Sequence, residues 1–374
     1  MAANVAIDAR YVQEPLSGIG RYTLNLLCGI AEASPDRRIL VLTSGVSSLP
    51  EAVRRCPSFE FVGRRTSNPR GLAEQFTAPR AIRRHGIRLL HSPDAFAPLC
   101  GSCLKVITIH DLIPIACRDA LYASSKARWW RLWLAWLKLQ CRAASRVITV
   151  SQHSAMDIER FLNVSPERIR IIPNGVQLPA QADPPAEVRR ITQGGPFILY
   201  VGRRDPYKNL AGLVRAFALV RIQKGDARLV LAGAPDPRYR EVEIESQRLG
   251  LGNSVVLAGH VGDAGLAELY RNAAVFAFPS LYEGFGLPPL EAMACGAPVV
   301  ASNRTSVPET VGDAAILVDP ADPSDMAQGI LRVLSDRPLA LKLREKGFQR
   351  AASFTVKKQA EQTLRLYEEL AGRF

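Results

Sequence analysis

No stretch of eighteen apolar residues occurs in the 374-residue chain, so no helix of it is expected to span a bilayer. Met1–Arg10 reaches an acid at Asp8 without an apolar segment, which argues against a secretory signal. Cysteine is sparse: seven residues, odd in number and scattered from Cys28 to Cys295, a usage that fits a reducing compartment rather than a disulfide framework. Cys100-Gly-Ser-Cys103 has zinc or redox spacing, but no second pair completes a site, and no metal is expected there. Low-complexity tracts and solenoid-period repeats are missing, which excludes repeat architectures. Acid is short as well: 48 Lys and Arg stand against 35 Asp and Glu, a net +13.

What remains is an ordinary globular composition, 47% hydrophobic and 22% charged, at a length that suggests two domains. The basic excess is uneven. The first 185 residues hold 24 basic and 14 acidic residues, a net +10; the rest hold 24 and 21, a net +3. That asymmetry suggests an anionic partner for the N-terminal half: nucleic acid, a membrane surface or a phosphorylated substrate. Nucleic acid is disfavoured, because no recognised motif is present and aromatics interleave with basic residues in one helix only.

Short apolar runs alternate with helical patterns along the whole chain. Asn4–Ala9, Arg38–Thr43, Phe59–Val62, Arg88–His91, Leu104–Ile109, Arg146–Val150 and Arg168–Ile172 read as strands in the first half. Phe197–Gly202, Ala227–Ala232, Ser254–Ala258, Val275–Pro279, Ala297–Ala301 and Ala314–Val318 read as strands in the second. Such alternation implies parallel sheets covered on both faces. Ile198-Leu-Tyr-Val201 and Leu229-Val-Leu-Ala232 are apolar on both faces, as buried parallel strands are. Prolines 173, 179, 184, 185 and 196, with Asn174-Gly175 and Gly194-Gly195, mark a linker near the middle. The reading is two doubly wound α/β domains: residues 1–177, a linker at 178–195, and residues 196–356. Ligands bind outside the carboxyl ends of strands in such sheets, and between tandem domains the reaction site belongs in the cleft.

Four loops carry chemistry. Ser280-Leu-Tyr-Glu-Gly-Phe-Gly-Leu-Pro-Pro-Leu-Glu291 follows the strand Val275–Pro279. Gly284 and Gly286 permit close backbone approach, Pro288 and Pro289 suit a first helical turn, and a glycine turn feeding a helix start is an anion site. Glu283 and Glu291 flank it, and carboxylates beside a phosphate are tolerable where they accept hydrogen bonds from sugar or ribose hydroxyls. Gly202-Arg-Arg-Asp-Pro-Tyr-Lys208 leaves the carboxyl end of another strand, and Arg203 with Lys208 can clamp a diphosphate. Ser17-Gly18-Ile19-Gly20 opens a helix but lacks the third glycine and following acid of a dinucleotide fingerprint. His110, in Ile109-His-Asp-Leu-Ile-Pro114, ends an apolar strand and is the best placed of five histidines.

Together, Tyr-Glu-Gly-Phe-Gly-Leu-Pro-x-Leu-Glu-Ala-Met-Ala-Cys-Gly around Glu283 and Glu291, Val201-Gly-Arg203 with Lys208-Asn209, Ile172-Pro-Asn-Gly-Val176 and Gly259-His-Val261 resemble the retaining family 4 glycosyltransferases of the GT-B fold. The likeness runs from about residue 5 to 355. Gly-Ile-Gly-Arg-Tyr22 with His-Asp-Leu-Ile-Pro114 is similar to bacterial polysaccharide mannosyltransferases. The resemblance implies two Rossmann-like domains facing across a cleft, the first for acceptor and the second for the nucleotide-sugar donor, with a C-terminal helix (about 357–374) returning to the first. It implies that Arg203 and Lys208 hold the donor diphosphate, that Glu291 accepts from ribose, and that Glu283 holds hydroxyls of the moving sugar. Amides at Phe285, Gly286 and Leu287, beside Gly284, touch sugar or phosphate; His110 contacts the sugar near the reacting carbon; Gly20, with Gly18, admits the phosphate.

Cations and amides would stabilise the leaving diphosphate without a metal, and no Asp-x-Asp pair stands near these loops. Asp263, after Val261, reads equally as an acceptor for guanine or as the N-cap of a following helix. With the subgroup likeness, GDP-mannose leads as donor; UDP- and dTDP-sugars, or a non-catalytic nucleotide-sugar-binding module, are the alternatives.

The four tryptophans, Trp129, Trp130, Trp133 and Trp136, fall in residues 124–145, six basic residues share the neighbourhood (Lys126, Arg128, Arg131, Lys138, Arg142 and Arg146), and no acid lies between Asp119 and Asp157. At about 100° per residue, Arg128, Arg131, Lys138, Arg142 and Arg146 fall on one stripe, and the tryptophans, Leu134, Leu137 and Cys141 opposite. This pattern reads as an interfacial helix on an anionic membrane, or as a core helix packing its tryptophans inward. The expected setting is cytoplasmic, peripheral on the inner membrane, with a polyprenyl-diphosphate-linked saccharide as acceptor.

Overall fold

A computed structural model of the chain describes residues 4–13, 16–33, 37–63, 71, 74–117, 129–177 and 183–372. Two compact units emerge: 1–112 with 129–175 and 354–374, and 113–128 with 176–353.

The first unit is built on seven parallel strands: β1 (Val5–Asp8), β2 (Ile39–Thr43), β3 (Phe59–Gly63), β4 (Leu89–Ser92), β5 (Leu104–Thr108), β6 (Arg146–Thr149) and β7 (Ile169–Ile171). Their order is β3-β2-β1-β4-β5-β6-β7, with β1 in register Val5↔Ile39 on one side and Val5↔Leu89 on the other. β1 and β4 are buried along their whole length, which explains their unbroken apolar character. Helix Gly18–Ala33 and the last helix, Val356–Ala371, cover one face; Leu26, Leu27 and Ile30 meet Ala360, Leu364 and Tyr367 in one core cluster. The two helices approach so closely that a side chain on Gly29 would strike the Val356 carbonyl; Gly175, in the segment after β7, is as tightly placed, and a Cβ there would lie 2.5 Å from the Val356 Cα.

The second unit holds β8 (Phe197–Val201), β9 (Arg228–Ala232), β10 (Val255–Gly259), β11 (Val275–Phe278), β12 (Val299–Ser302) and β13 (Ala315–Val318), in the order β10-β9-β8-β11-β12-β13. Counted from β8 this is 3-2-1-4-5-6, the dinucleotide-binding order. The direction of winding reverses between β8 and β11, and there the side chains of both strands' following loops converge.

Two boundaries differ from the expectation. Residues 178–195 are not a bare linker: 178–182 lie outside the described residues, and Ala186–Gln193 forms a helix. Val188 of that helix is buried and packs where a Cβ on Gly265 would meet it. Ile113 is buried against Tyr282, with Cys117 and Tyr207 alongside, so apolar packing joins 113–117 to the second unit. Among the described residues no helix is long and apolar enough to cross a membrane.

Candidate functional site

Both motif loops of the second unit leave the strands that flank the winding reversal: 202–208 follows β8 and 279–286 follows β11. Lys208 closes a short 3-10 turn, Pro206–Lys208. Its Nζ donates to Glu283 Oε1 at 2.6 Å, with both side chains largely buried. Nζ also lies 5.0 Å from the Tyr207 ring centroid and 5.6 Å from that of Phe278. The cation is therefore fixed by one carboxylate and two aromatic faces. Asn209, left-handed at φ 57°, donates to the carbonyls of Pro279 (3.3 Å) and Pro320 (2.6 Å), which ties the two loops together.

Arg203 stands apart from this pair. Its side chain is 71% exposed, and its guanidinium bonds the buried Asp205 carboxylate at 2.9 Å. Arg203 and Lys208 thus hold separate carboxylates rather than one shared point, because buried Asp205 and Glu283 each require a cation. Arg204, buried, pairs with Glu243 at 2.8 Å. Beneath the loop Tyr200 donates to the Arg203 carbonyl at 2.9 Å. Burial, with the Glu283 and Asp205 charges, drives the Tyr200 hydroxyl well above its usual range, so it remains a donor.

The glycine turn starts the helix Leu287–Ala294. Gly286 has φ 105°, a conformation that demands glycine. Pro288 and Pro289 carry no N–H, so this helix start offers the amides of Gly286 and Leu287 rather than a full set. Glu291, a turn further in, accepts from the Tyr270 hydroxyl at 3.0 Å. Tyr270 is buried, and burial followed by the Glu291 charge raises its pKa strongly, so its proton is kept for that bond. Three hydroxyl residues hold the turn from behind. The Glu283 N–H donates to Thr305 Oγ1 (3.0 Å), Ser306 Oγ donates to the Glu283 and Phe285 carbonyls (2.9 and 3.1 Å), and Thr310 Oγ1 donates to the Phe285 carbonyl (2.7 Å). Sequence reasoning missed Tyr270, Thr305, Ser306 and Thr310. The usable signal was position: Thr305 and Ser306 follow β12, the strand beside β11.

Val261 and Asp263 lie after β10. Asp263 is the first residue of helix Asp263–Asn272, and the cap position is Gly262 with no side-chain cap. The N-cap alternative for Asp263 is thereby corrected: the aspartate stands one residue too far along.

In the first unit His110 follows β5. Its Nε2 lies 2.9 Å from the Pro93 carbonyl, so Nε2 donates to it, and in the neutral tautomer Nδ1 is the acceptor nitrogen. The Tyr22 ring meets His110 edge-on at 4.6 Å. Tyr22 Oη, Thr108 Oγ1 and His91 Nε2 form a buried chain (3.2 and 2.8 Å) that ends on Tyr367 of the last helix. Burial, with His110 nearby, lowers the His91 pKa to about 3, so this chain is neutral. Gly20 is required by packing: a Cβ would sit 2.7 Å from the Tyr11 carbonyl, and its amide donates to Ser17 Oγ at 3.1 Å. Gly18 has open space around it.

Helix Trp130–Ala143 corrects the assignment of faces; residues 124–128 lie outside the described residues. Trp133 and Trp136 are half-buried on the Phe96 ring, with centroids at 5.5 and 5.4 Å, while Leu137 and Cys141 are buried. The exposed side presents Trp129, Leu132 and Leu139 between Arg131 and Arg142. Phe96 thus takes the rings of Trp133 and Trp136, while Trp129 stays exposed. Cys100 and Cys103 are free thiols.

Residues 186–350 match the family model "Glycosyl transferases group 1", and residues 16–178 match "Glycosyltransferase Family 4". O-antigen chain mannosyltransferase B of Escherichia coli is 30% identical over 96% of this chain and 98% of its own. An MMP alpha-(1->4)-mannosyltransferase of Mycolicibacterium hassiacum is 34% identical over 72% of this chain and 66% of its own. Among solved structures, sucrose-phosphate synthase from Thermosynechococcus elongatus matches with a TM-score of 0.77 and 27% identity, covering 98% of this chain and 99% of that one.

Proposed function

Because this chain belongs to the group 1 and family 4 glycosyltransferases, we propose that it transfers mannose from GDP-mannose, with retention, to a lipid-linked saccharide. The observation that carries the reading is the Lys208–Glu283 pair at the winding reversal of the second sheet. The pair sits at the place where doubly wound sheets take nucleotides. It combines a cation for a leaving diphosphate with a carboxylate for sugar hydroxyls.

In the proposed reaction the bond from the anomeric carbon to the diphosphate oxygen breaks with oxocarbenium character. Lys208, Arg203 and the Gly286 and Leu287 amides stabilise the charge that develops on the diphosphate. Arg203 leaves Asp205 or shares it to reach that anion, which its exposure permits. The acceptor oxygen bonds to the anomeric carbon on the same face, and its proton passes to the departing phosphate oxygen. Glu291, braced by Tyr270, accepts from the ribose hydroxyls; Glu283 accepts from those of mannose; His110 is assigned to the mannose near its reacting carbon. The fixed Nε2–H leaves His110 Nδ1 to accept a hydrogen bond from a sugar hydroxyl. Gly18, Gly20, Gly284, Phe285, Val261 and Asp263 complete the proposed donor contacts, with Asp263 facing guanine.

Mannose is supported by the names of the two relatives, and guanine by that choice of sugar. The exposed Trp129, Leu132 and Leu139 beside Arg131, Lys138 and Arg142 support a peripheral seat on an anionic membrane, where a polyprenyl-diphosphate-linked acceptor resides. Thermal shift with GDP, UDP and dTDP tests the donor. GDP should raise the Tm most. Stabilisation by UDP alone would replace GDP-mannose with a UDP-sugar.

A further inference from the structure

We infer that Thr305, together with Ser306 and Thr310, is a positioning residue that sets the direction of the Glu283 side chain and of the amides in the turn after it. The inference rests on the reading of Glu283 as the acceptor for hydroxyls of the transferred sugar.

Three observations lead to it. Thr305 has φ 54°. A β-branched residue in the left-handed region is costly, and such conformations persist where the surroundings impose them. Thr305 is the one β-branched residue in that conformation among the described residues, and its hydroxyl accepts from the Glu283 N–H. Ser306 and Thr310, both fully buried, donate to the Glu283 and Phe285 carbonyls. In a planar trans peptide the N–H points opposite the preceding carbonyl. Pulling the Phe285 carbonyl onto Ser306 and Thr310 therefore turns the Gly286 N–H the other way. The Glu283 carbonyl on Ser306 does the same for the Gly284 N–H. Glu283 is thus held from both ends: its backbone by Thr305 and Ser306, and its carboxylate by Lys208.

A hydroxyl is what the site requires at 305. Glycine there would relieve the backbone but leave the Glu283 N–H without its acceptor. The two roles a threonine could play, filling space or aiming Glu283, therefore separate experimentally.

The measurement is the ratio of the dissociation constants for GDP-mannose and GDP, taken by calorimetry. UDP-glucose and UDP serve if the wild type prefers that pair. Comparing sugar nucleotide with nucleotide isolates contacts to the sugar. Thr305→Gly should raise the ratio about tenfold, as Glu283→Gln should, while its Tm stays level or rises. Thr305→Ser, which keeps the hydroxyl, should keep the wild-type ratio. Thr305→Val should behave as Thr305→Gly in the ratio, with a lower Tm. A wild-type ratio in Thr305→Gly while Glu283→Gln changes it would overturn the positioning role. An unchanged ratio in Glu283→Gln, or binding of neither pair by the wild type, would overturn the underlying reading of Glu283 and this inference with it.

Discussion

Lys208 and Glu283 are each other's main electrostatic support, and that makes their roles in stability and in turnover separable. Removing one partner of a largely buried ion pair leaves the other charge stranded, at a cost of about 3–5 kcal/mol, whereas neutralising both costs far less. Lys208→Ala should lower the Tm and reduce turnover by orders of magnitude. Adding Glu283→Gln should restore most of the Tm and none of the turnover. Denaturation and initial-rate measurements on the two variants check this. Recovery of turnover in the double variant would mean that the lysine serves stability alone. At this scale the sequence was informative about residue type and less so about partners. Glu283, Lys208 and Glu291 stand out by spacing after strands. Arg203 reads as half of a clamp but turns to Asp205, two residues on, because that carboxylate is buried and the guanidinium is not. Tyr270 and Thr305 carry no periodic or charge signal, since their importance arises from neighbours 21 and 22 residues away.

Among elements, all thirteen strand runs of the sequence reappear within two residues. Buried parallel strands are apolar on both faces, so their signal survives without tertiary information. The tryptophan helix shows where such legibility ends. Its amphipathicity is visible from the sequence, but which side faces inward is decided by Phe96, remote in the chain and invisible to a helical wheel. The corrected faces change the membrane test. Leu132→Glu with Leu139→Glu adds acid to the exposed side. It should abolish most binding to vesicles containing a third anionic lipid, with the Tm unchanged, because neither leucine is buried. Trp133→Ala should instead lower the Tm through loss of the Phe96 contact. Vesicle binding that survives the double leucine variant would place the membrane contact elsewhere or remove it.

For the molecule as a whole, two sheets of the dinucleotide-binding kind, family matches across both halves and a cation–carboxylate pair at one winding reversal converge on glycosyl transfer. In the proposed function the N-terminal basic excess and the exposed apolar side of one helix are assigned to the acceptor, and the second unit to the donor. Which sugar moves, and with what stereochemistry, is chemistry at one carbon. The most direct measurement is proton NMR of the anomeric centre while the purified chain turns over GDP-mannose with a lipid-linked saccharide acceptor. Retaining transfer at the Lys208–Glu283 site gives a first-formed product with the α configuration of the donor, and no product with Lys208→Ala. A β product, or an unchanged rate in Lys208→Ala, would contradict it.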